Sequence, residues 1–198
     1  MAKTDPKQQA AKDTPSVDHW YGRYTIFGVD GEHREPYMTR YWIGRLRLHI
    51  FHRGDQDPDC HDHPWDFWTF PFTNYVEEIA LPNRFEGGYD LHRQIVRAWR
   101  WSFRPATHTH RVLGRWTGRW ERPWPGRPVD SEMVESYQSP RRLRIEDEPS
   151  FGPGPIVTLV WRSKDKRKWG FLKARDGKWC WVHWKSYVFG GGKSAPCE

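Results

Sequence analysis

The feature that most constrains this chain is a period-two alternation of apolar and polar residues, interrupted at short intervals by turn residues. From Trp42 to His52, Leu46, Leu48 and Ile50 fall on one side, and Arg45, Arg47 and His49 on the other. Side chains alternate across a strand, so this pattern predicts a half-buried strand. Leu91–Phe103 alternates again, Trp68–Phe72 reads as an aromatic strand with Pro71 at an edge or bulge, Tyr75–Ala80 as its return strand, and Ile156–Trp161 as a short, fully apolar strand. Trp169–Leu172 and Trp179–Trp184 flank Asp176-Gly177, a strong hairpin signal. Eight or more short strands separated by turns predict an all-β sandwich or barrel. Fourteen tryptophans in 198 residues agree, because aromatic side chains favour strands, and they are expected to fill most of the core.

The length suits one domain. Residues 1–18 are polar and expected to be disordered, 19–189 form the barrel domain, and 190–198 are expected to be a flexible tail. Within the domain, residues 114–155 are rich in Pro, Gly and Arg and read as a long irregular insertion or lid, with one helix-tolerant stretch at 130–137. Three cysteines without paired spacing argue against a disulfide framework, and Cys60 reads as a small buried residue. No apolar run reaches membrane-spanning length and no secretion signal opens the chain, so a soluble cytoplasmic protein is expected.

The chemistry concentrates around Cys60-His61-Asp62-His63-Pro64-Trp65-Asp66-Phe67. On a strand, His61 and His63 share a face and can share one metal ion. A second pair, His108 and His110, follows a turn about fifty residues later. Neutral imidazoles suit divalent transition metals, and three nitrogens with open positions describe a catalytic rather than a structural site. Asp62 points away by parity. Asp55, Asp57 and Asp59 lack the glycine and distal glutamate of a calcium loop and read as a solvated turn.

This arrangement resembles the cupin superfamily over roughly residues 40–185. His61 and His63 match the His-x-His of the first cupin motif, and Pro105, Thr107 and His110 match Pro-x-Gly-x-x-His of the second, with Thr107 in place of glycine. His61-Asp62-His63-Pro64-Trp65, Thr158-Leu159-Val160 and Trp169-Gly170-Phe171 are similar to a group of uncharacterised bacterial and phage cupin-like proteins. The resemblance implies a single-domain jelly-roll barrel (a double-stranded β-helix) and one divalent metal, Fe, Zn, Mn or Ni. It places that metal on His61, His63 and His110, in host cytoplasm if the protein is phage-encoded. It also implies homodimers formed through sheet edges. Phe67 and Trp68 stand where the family carries a ligating glutamate, which leaves three histidines as in the thiol dioxygenases. Glu77, Glu78 and Asp66 are the carboxylates that could replace it. Glu77 and His108 are the catalytic candidates, His108 as ligand or neighbouring base.

Three functions follow. The first is a metal-dependent enzyme of oxygenase or isomerase type acting on a small molecule, an anionic one if Arg45, Arg47, Arg97, Arg100 and Arg104 line the site. The second is non-catalytic binding of a sugar or nucleotide. The third is single-stranded nucleic-acid binding, for which a net charge of +7 and Arg97-Ala98-Trp99-Arg100-Trp101 speak, and 25 acidic against 32 basic residues speak less. No membrane partner is expected.

Overall fold

A computed structural model describes residues 19–30, 33–84, 87–121 and 148–197. The predicted disordered segment 1–18, the helix-tolerant stretch 130–137 and most of the insertion lie outside them. The described chain forms strands β1 (Tyr21–Asp30), β2 (His33–Ile43), β3 (Leu46–Phe51), β4 (Cys60–His61), β5 (Phe67–Pro71), β6 (Tyr75–Pro82), β7 (Tyr89–Val96), β8 (Ser102–Arg104), β9 (His110–Glu121), β10 (Glu148–Gly152), β11 (Ile156–Arg162), β12 (Gly170–Arg175) and β13 (Lys178–His183). One short helix, α1 (Trp184–Phe189), follows.

The strands build two antiparallel sheets, ordered β1-β2-β3-β11-β5-β8 and β13-β12-β4-β9-β6-β7, with β10 added against β9. Four nested pairs explain this order. β6 pairs β7, β5 pairs β8, β4 pairs β9 and β3 pairs β11, and successive pairs fall in alternate sheets. A long hairpin with its tip at β6–β7, rolled so that its rungs alternate between two layers, is a jelly roll. The all-β, cupin-like architecture expected from sequence is therefore present, with β1–β2 widening one sheet and β12–β13 the other. Asp176 (φ 53°) and Gly177 (φ 73°) form the expected hairpin turn, since both positions need the left-handed region.

Alternation assigns parity correctly without saying which face is inside. In β3, His49 is buried and, with Phe51, faces the barrel interior, whereas Leu46, Leu48 and Ile50 face outward. That interior lines a cavity, where Arg40, His49 and Thr158 stand among Met38, Phe51, Phe67 and Val160. The apolar core is correspondingly small. Tyr75, Val96, Val112 and Ile156 pack with Phe51 at one place, and Cys60, Ala80 and Leu172 with Tyr89 and Trp179 at another. Full burial of Ile156 contributes on the order of 2 kcal/mol.

Other expectations are revised. The tryptophans are not core: seven of the thirteen described are exposed, and none is fully buried. The stretch Leu91–Phe103 is two strands, because the chain turns at Trp99, whose φ of 62° no strand accommodates. The segment read as irregular from residue 114 begins and ends as strand. β9 runs on to Glu121, and β10 returns beside it, pairing Glu148 with Glu121.

The tail is also held in place. Cys197 is disulfide-bonded to Cys180 (Cα–Cα 5.6 Å), because α1 turns the chain back across β12 and β13. Lys173, buried on β12, donates from Nζ to Gly192 O (2.6 Å) and to Ala195 O. Odd cysteine count alone therefore misled. Cys60 is buried and free as expected.

Candidate metal centre

β4 and β9 are neighbours, and their single register pair is His61 opposite His110. The jelly roll thus brings side chains 49 residues apart in sequence face to face. β4 ends after His61, and Asp62, which does not line the cavity, is buried as an acceptor. Its carboxylate takes the backbone N–H of Gly170 (2.8 Å), the Trp181 indole N–H (3.0 Å) and Arg167 (2.7 Å). His63 then follows, its backbone N–H donating to Ala106 O (3.1 Å) on the chain leading into β9.

The three imidazoles cluster, with ring centroids 5.3 Å (His61–His63), 5.4 Å (His61–His110) and 5.2 Å (His63–His110) apart. One ring nitrogen of each lies within 4.8 Å of the others. Burial depresses all three basicities, and the rings add to one another's effect. His61 falls to about 3 and His63 well below its usual value, while the hydrogen bond from His110 to Glu77 only partly offsets burial there. The rings are neutral near pH 7, the form that binds metal.

Glu77 fixes the tautomer of His110. Its Oε2 accepts from His110 Nδ1 at 2.8 Å, so Nε2 carries the lone pair, and that Nε2 is 2.9 Å from His63 Nε2. Two facing imidazole nitrogens with a third nearby are the donor set a borderline divalent ion takes. The carboxylate behind the histidine is the usual orienting partner. A bulge between Val76 and Glu77 breaks the alternation of β6 and leaves Tyr75 through Glu78 buried in succession. Burial would raise the Glu77 pKa, but the nearby His108, the hydrogen bond from His110 and the charge of Arg104 hold it well below the usual carboxylate range.

A second group, Glu77, His108 and His110, also brings ligand atoms within 4.8 Å. It is already neutralised: Arg104 reaches Glu77 Oε1 at 2.7 Å and Gln94 donates to the same oxygen at 2.6 Å, while His108 is bonded to Arg104. Glu77 has no exposed surface. Neither it nor His108 lines the cavity that His61, His63 and His110 share. The other carboxylates considered are engaged elsewhere. Glu78 pairs with Arg111 (2.6 Å), and Asp66 accepts from Ala106 N (2.9 Å) and pairs with Lys166.

The three histidines open onto a cavity of about 550 Å³ between the sheets. The arginines proposed from sequence do not line it. Arg40 and Arg53 do, and neither was among the residues singled out from sequence. Arg40 donates from Nε to His49 Nε2 (3.0 Å) and lies 5.8 Å from the Tyr24 ring. It forms no ion pair with any described carboxylate, and burial lowers its pKa. Arg53 lies 4.0 Å from the exposed Glu35, donates to Gly54 O (3.2 Å) and sits over Tyr37.

Asp55 is the other residue that sequence missed. The loop after β3 is not a solvated turn. Gly54 packs so closely on β9 that a Cβ would lie 1.9 Å from Leu113 O, and Asp55 N donates to Val112 O (2.6 Å). The Asp55 carboxylate sits 3.7 Å from His61 Nδ1 and accepts from Tyr37 (3.4 Å); burial and then Asp57 push it up to about 7. Asp59 is buried as well, bonded to Arg175 (2.7 Å) and Tyr187 (2.8 Å).

No family model matches the chain, and no curated protein matches its sequence. Among solved structures it is similar to Fe(II)-HppE with an alternative substrate (8% identity, TM-score 0.38, 71% of this chain and 56% of that one). It is also similar to the DMSP lyase DddQ from Ruegeria pomeroyi (10%, 0.33, 81% and 56%). A third is the capsular polysaccharide assembling protein CapF from Staphylococcus aureus (14%, 0.34, 75% and 30%). The chain spans little more than half the length of the first two. No described helix is long and apolar enough to cross a membrane.

Proposed function

We propose that this protein holds one divalent transition metal on His61, His63 and His110 and acts on a small anionic molecule in the barrel cavity. The observation that carries the reading is the convergence of three neutral imidazoles on a cavity wall, one of them fixed in tautomer by a fully buried glutamate. A bound metal would supply a Lewis acid, with positions left open for a ligand. Iron, zinc, manganese and nickel all accept such a donor set, and iron would extend the chemistry to oxygenase reactions while the others suit isomerisation.

The chain's own groups supply the rest. Arg40 has no described carboxylate partner and lines the cavity, so its guanidinium is available to take a carboxylate or phosphate in bidentate fashion. Asp55, held near neutrality beside His61, can accept or return a proton at a ligand within reach. Glu77 and His108 act behind His110 as positioning residues. Trp65, stacked 4.9 Å from His63, and Trp169 give the cavity wall aromatic faces, which favours a second reading: binding of a ring-bearing ligand without turnover.

Elemental analysis tests the proposal. Wild-type protein equilibrated with iron, zinc, manganese or nickel and then desalted is expected to retain about one equivalent of at least one of them, and the His61→Ala/His63→Ala variant none. Equal retention by the variant, or none by the wild type, overturns it. Turnover of a small carboxylate by the loaded protein, lost in Arg40→Met, separates enzyme from binding protein.

A further inference from the structure

The outward face of the six-stranded sheet is aromatic. One register row reads Tyr21, Ile43, Leu46, Trp161, Trp68, Phe103 from edge to edge, and the next reads Arg23, Tyr41, Leu48, Leu159, Phe70. Trp68 and Phe103 are 5.2 Å apart between ring centroids. The loop after β7 lays two further rings over the end of β5, Trp101 at 5.1 Å from Phe70 and Trp99 at 5.4 Å from Phe72. Trp161, Trp68, Phe103, Trp101 and Trp99 are all exposed, Trp99 at 69%. The described helix packs on β12 and β13 in the other sheet, so it does not cover this face. An exposed apolar surface of this extent marks an interaction site.

Charge selects the partner. Neither row contains an acidic residue. Arg23 stands within the second row, Arg45 lies in the turn beside Leu46, and Arg97 and Arg100 flank Trp99; all four are exposed, and none is ion-paired with a described carboxylate. A second copy of the chain laid face to face would set these cations against one another with no carboxylate to meet them. A polyanion with planar rings complements both features. Bases stack on exposed rings of a sheet at about 1–3 kcal/mol each, and guanidinium groups neutralise the phosphates between them.

We propose that this face binds single-stranded nucleic acid, with bases stacked along Trp161, Trp68, Phe103 and Trp101 and the backbone held by Arg45, Arg97 and Arg100. It is independent of the cavity, which opens on the opposite side of the same sheet.

Fluorescence anisotropy of labelled oligo(dT) and oligo(U) of roughly 20 nucleotides, with the full chain, tests it. Binding is expected at about 50 mM salt, accompanied by tryptophan quenching and weakening steeply as salt rises. Trp68→Ala/Trp161→Ala is expected to lower affinity at least tenfold with an unchanged circular dichroism spectrum. Arg45→Glu/Arg97→Glu/Arg100→Glu is expected to flatten the salt dependence by about two units in the log–log slope. His61→Ala/His63→Ala is expected to bind as wild type does, which keeps this result separate from the fate of the metal centre. Four results overturn the proposal: no binding at low salt, binding undiminished by the surface variants, association only with anionic lipid vesicles, or a stable dimer that Trp68→Ala/Trp161→Ala converts to monomer.

Discussion

The two faces of the six-stranded sheet differ in where their polar groups and their exposed rings stand. Inward stand His49, Arg40, Thr69 and Thr158, looking across a cavity at three histidines; outward stand Trp68, Trp161, Phe103 and Tyr41. Most sheets bury their apolar residues, because removing apolar area from water stabilises by about 25 cal/mol per Å². Here the cavity wall mixes polar groups such as Arg40 and His49, which hydrogen-bond each other, with Met38, Phe51, Phe67 and Val160, while a row of aromatic residues is left exposed on the outside. The difference teaches that alternation identifies which residues share a face, but not which face is inside when the inside is a binding site.

The largest expected effect that sharpens this comparison is on metal binding. Inward changes at His61 and His63 should abolish it, and outward changes at Trp68 and Trp161 should leave it within twofold of wild type, both by elemental analysis. Loss of metal in the outward variant would show that the two faces are not independent. Next comes stability. Ile156→Ala on β11, at a fully buried position, should cost about 2–5 kcal/mol in urea unfolding, against about 1 kcal/mol or less for the outward Leu159→Ala on the same strand. Comparable losses at both positions would mean that the outer face is covered in the folded protein.

Glu77→Gln should give an intermediate result. The amide still meets His110 but no longer fixes its proton on Nδ1, so metal affinity should fall about 10–100-fold without vanishing. Unfolding should become easier as well, because Arg104 loses its buried carboxylate partner. An unchanged affinity would detach Glu77 from the site.

The smallest effect is on pH dependence. His49 is neutral when folded because burial, and then Arg40 and Arg47, depress its basicity, whereas the unfolded chain protonates it near 6.5. Its contribution to stability is therefore intact above pH 6.5 and is lost as pH falls below that value, by about 1.4 kcal/mol per pH unit. Asp55 works in the opposite sense, since its raised pKa lets the folded state take up a proton first as pH falls from about 7. The difference between wild type and His49→Gln isolates the histidine: metal-free wild type should lose stability more steeply below pH 6.5. Parallel curves would mean that His49 titrates normally.

Much of this was legible in the sequence. His61 and His63 could be paired because His-x-His on a strand is a short-range pattern, His110 joined them through the resemblance of Pro105, Thr107 and His110 to the second cupin motif, and the Asp176-Gly177 turn is local chemistry. Arg40 and Asp55 were not legible, because their roles depend on the roll of the sheet and on a close approach of Gly54 to β9. Glu77 was recognised as a carboxylate on the return strand, but the bulge that sets it behind His110 leaves no mark in the sequence. The Cys180–Cys197 link and the held tail depend on α1 folding the chain back, a long-range event. The outward tryptophans were misjudged because burial was inferred from residue type alone.

X-ray absorption on the metal-loaded protein tests the central claim most directly. Three imidazole ligands from His61, His63 and His110 should appear as nitrogen scatterers at about 2.0–2.1 Å for zinc, with outer-shell scattering from the rings. His110→Ala should reduce the imidazole count by one. A first shell without imidazole scattering, or a spectrum unchanged in His110→Ala, would contradict the account.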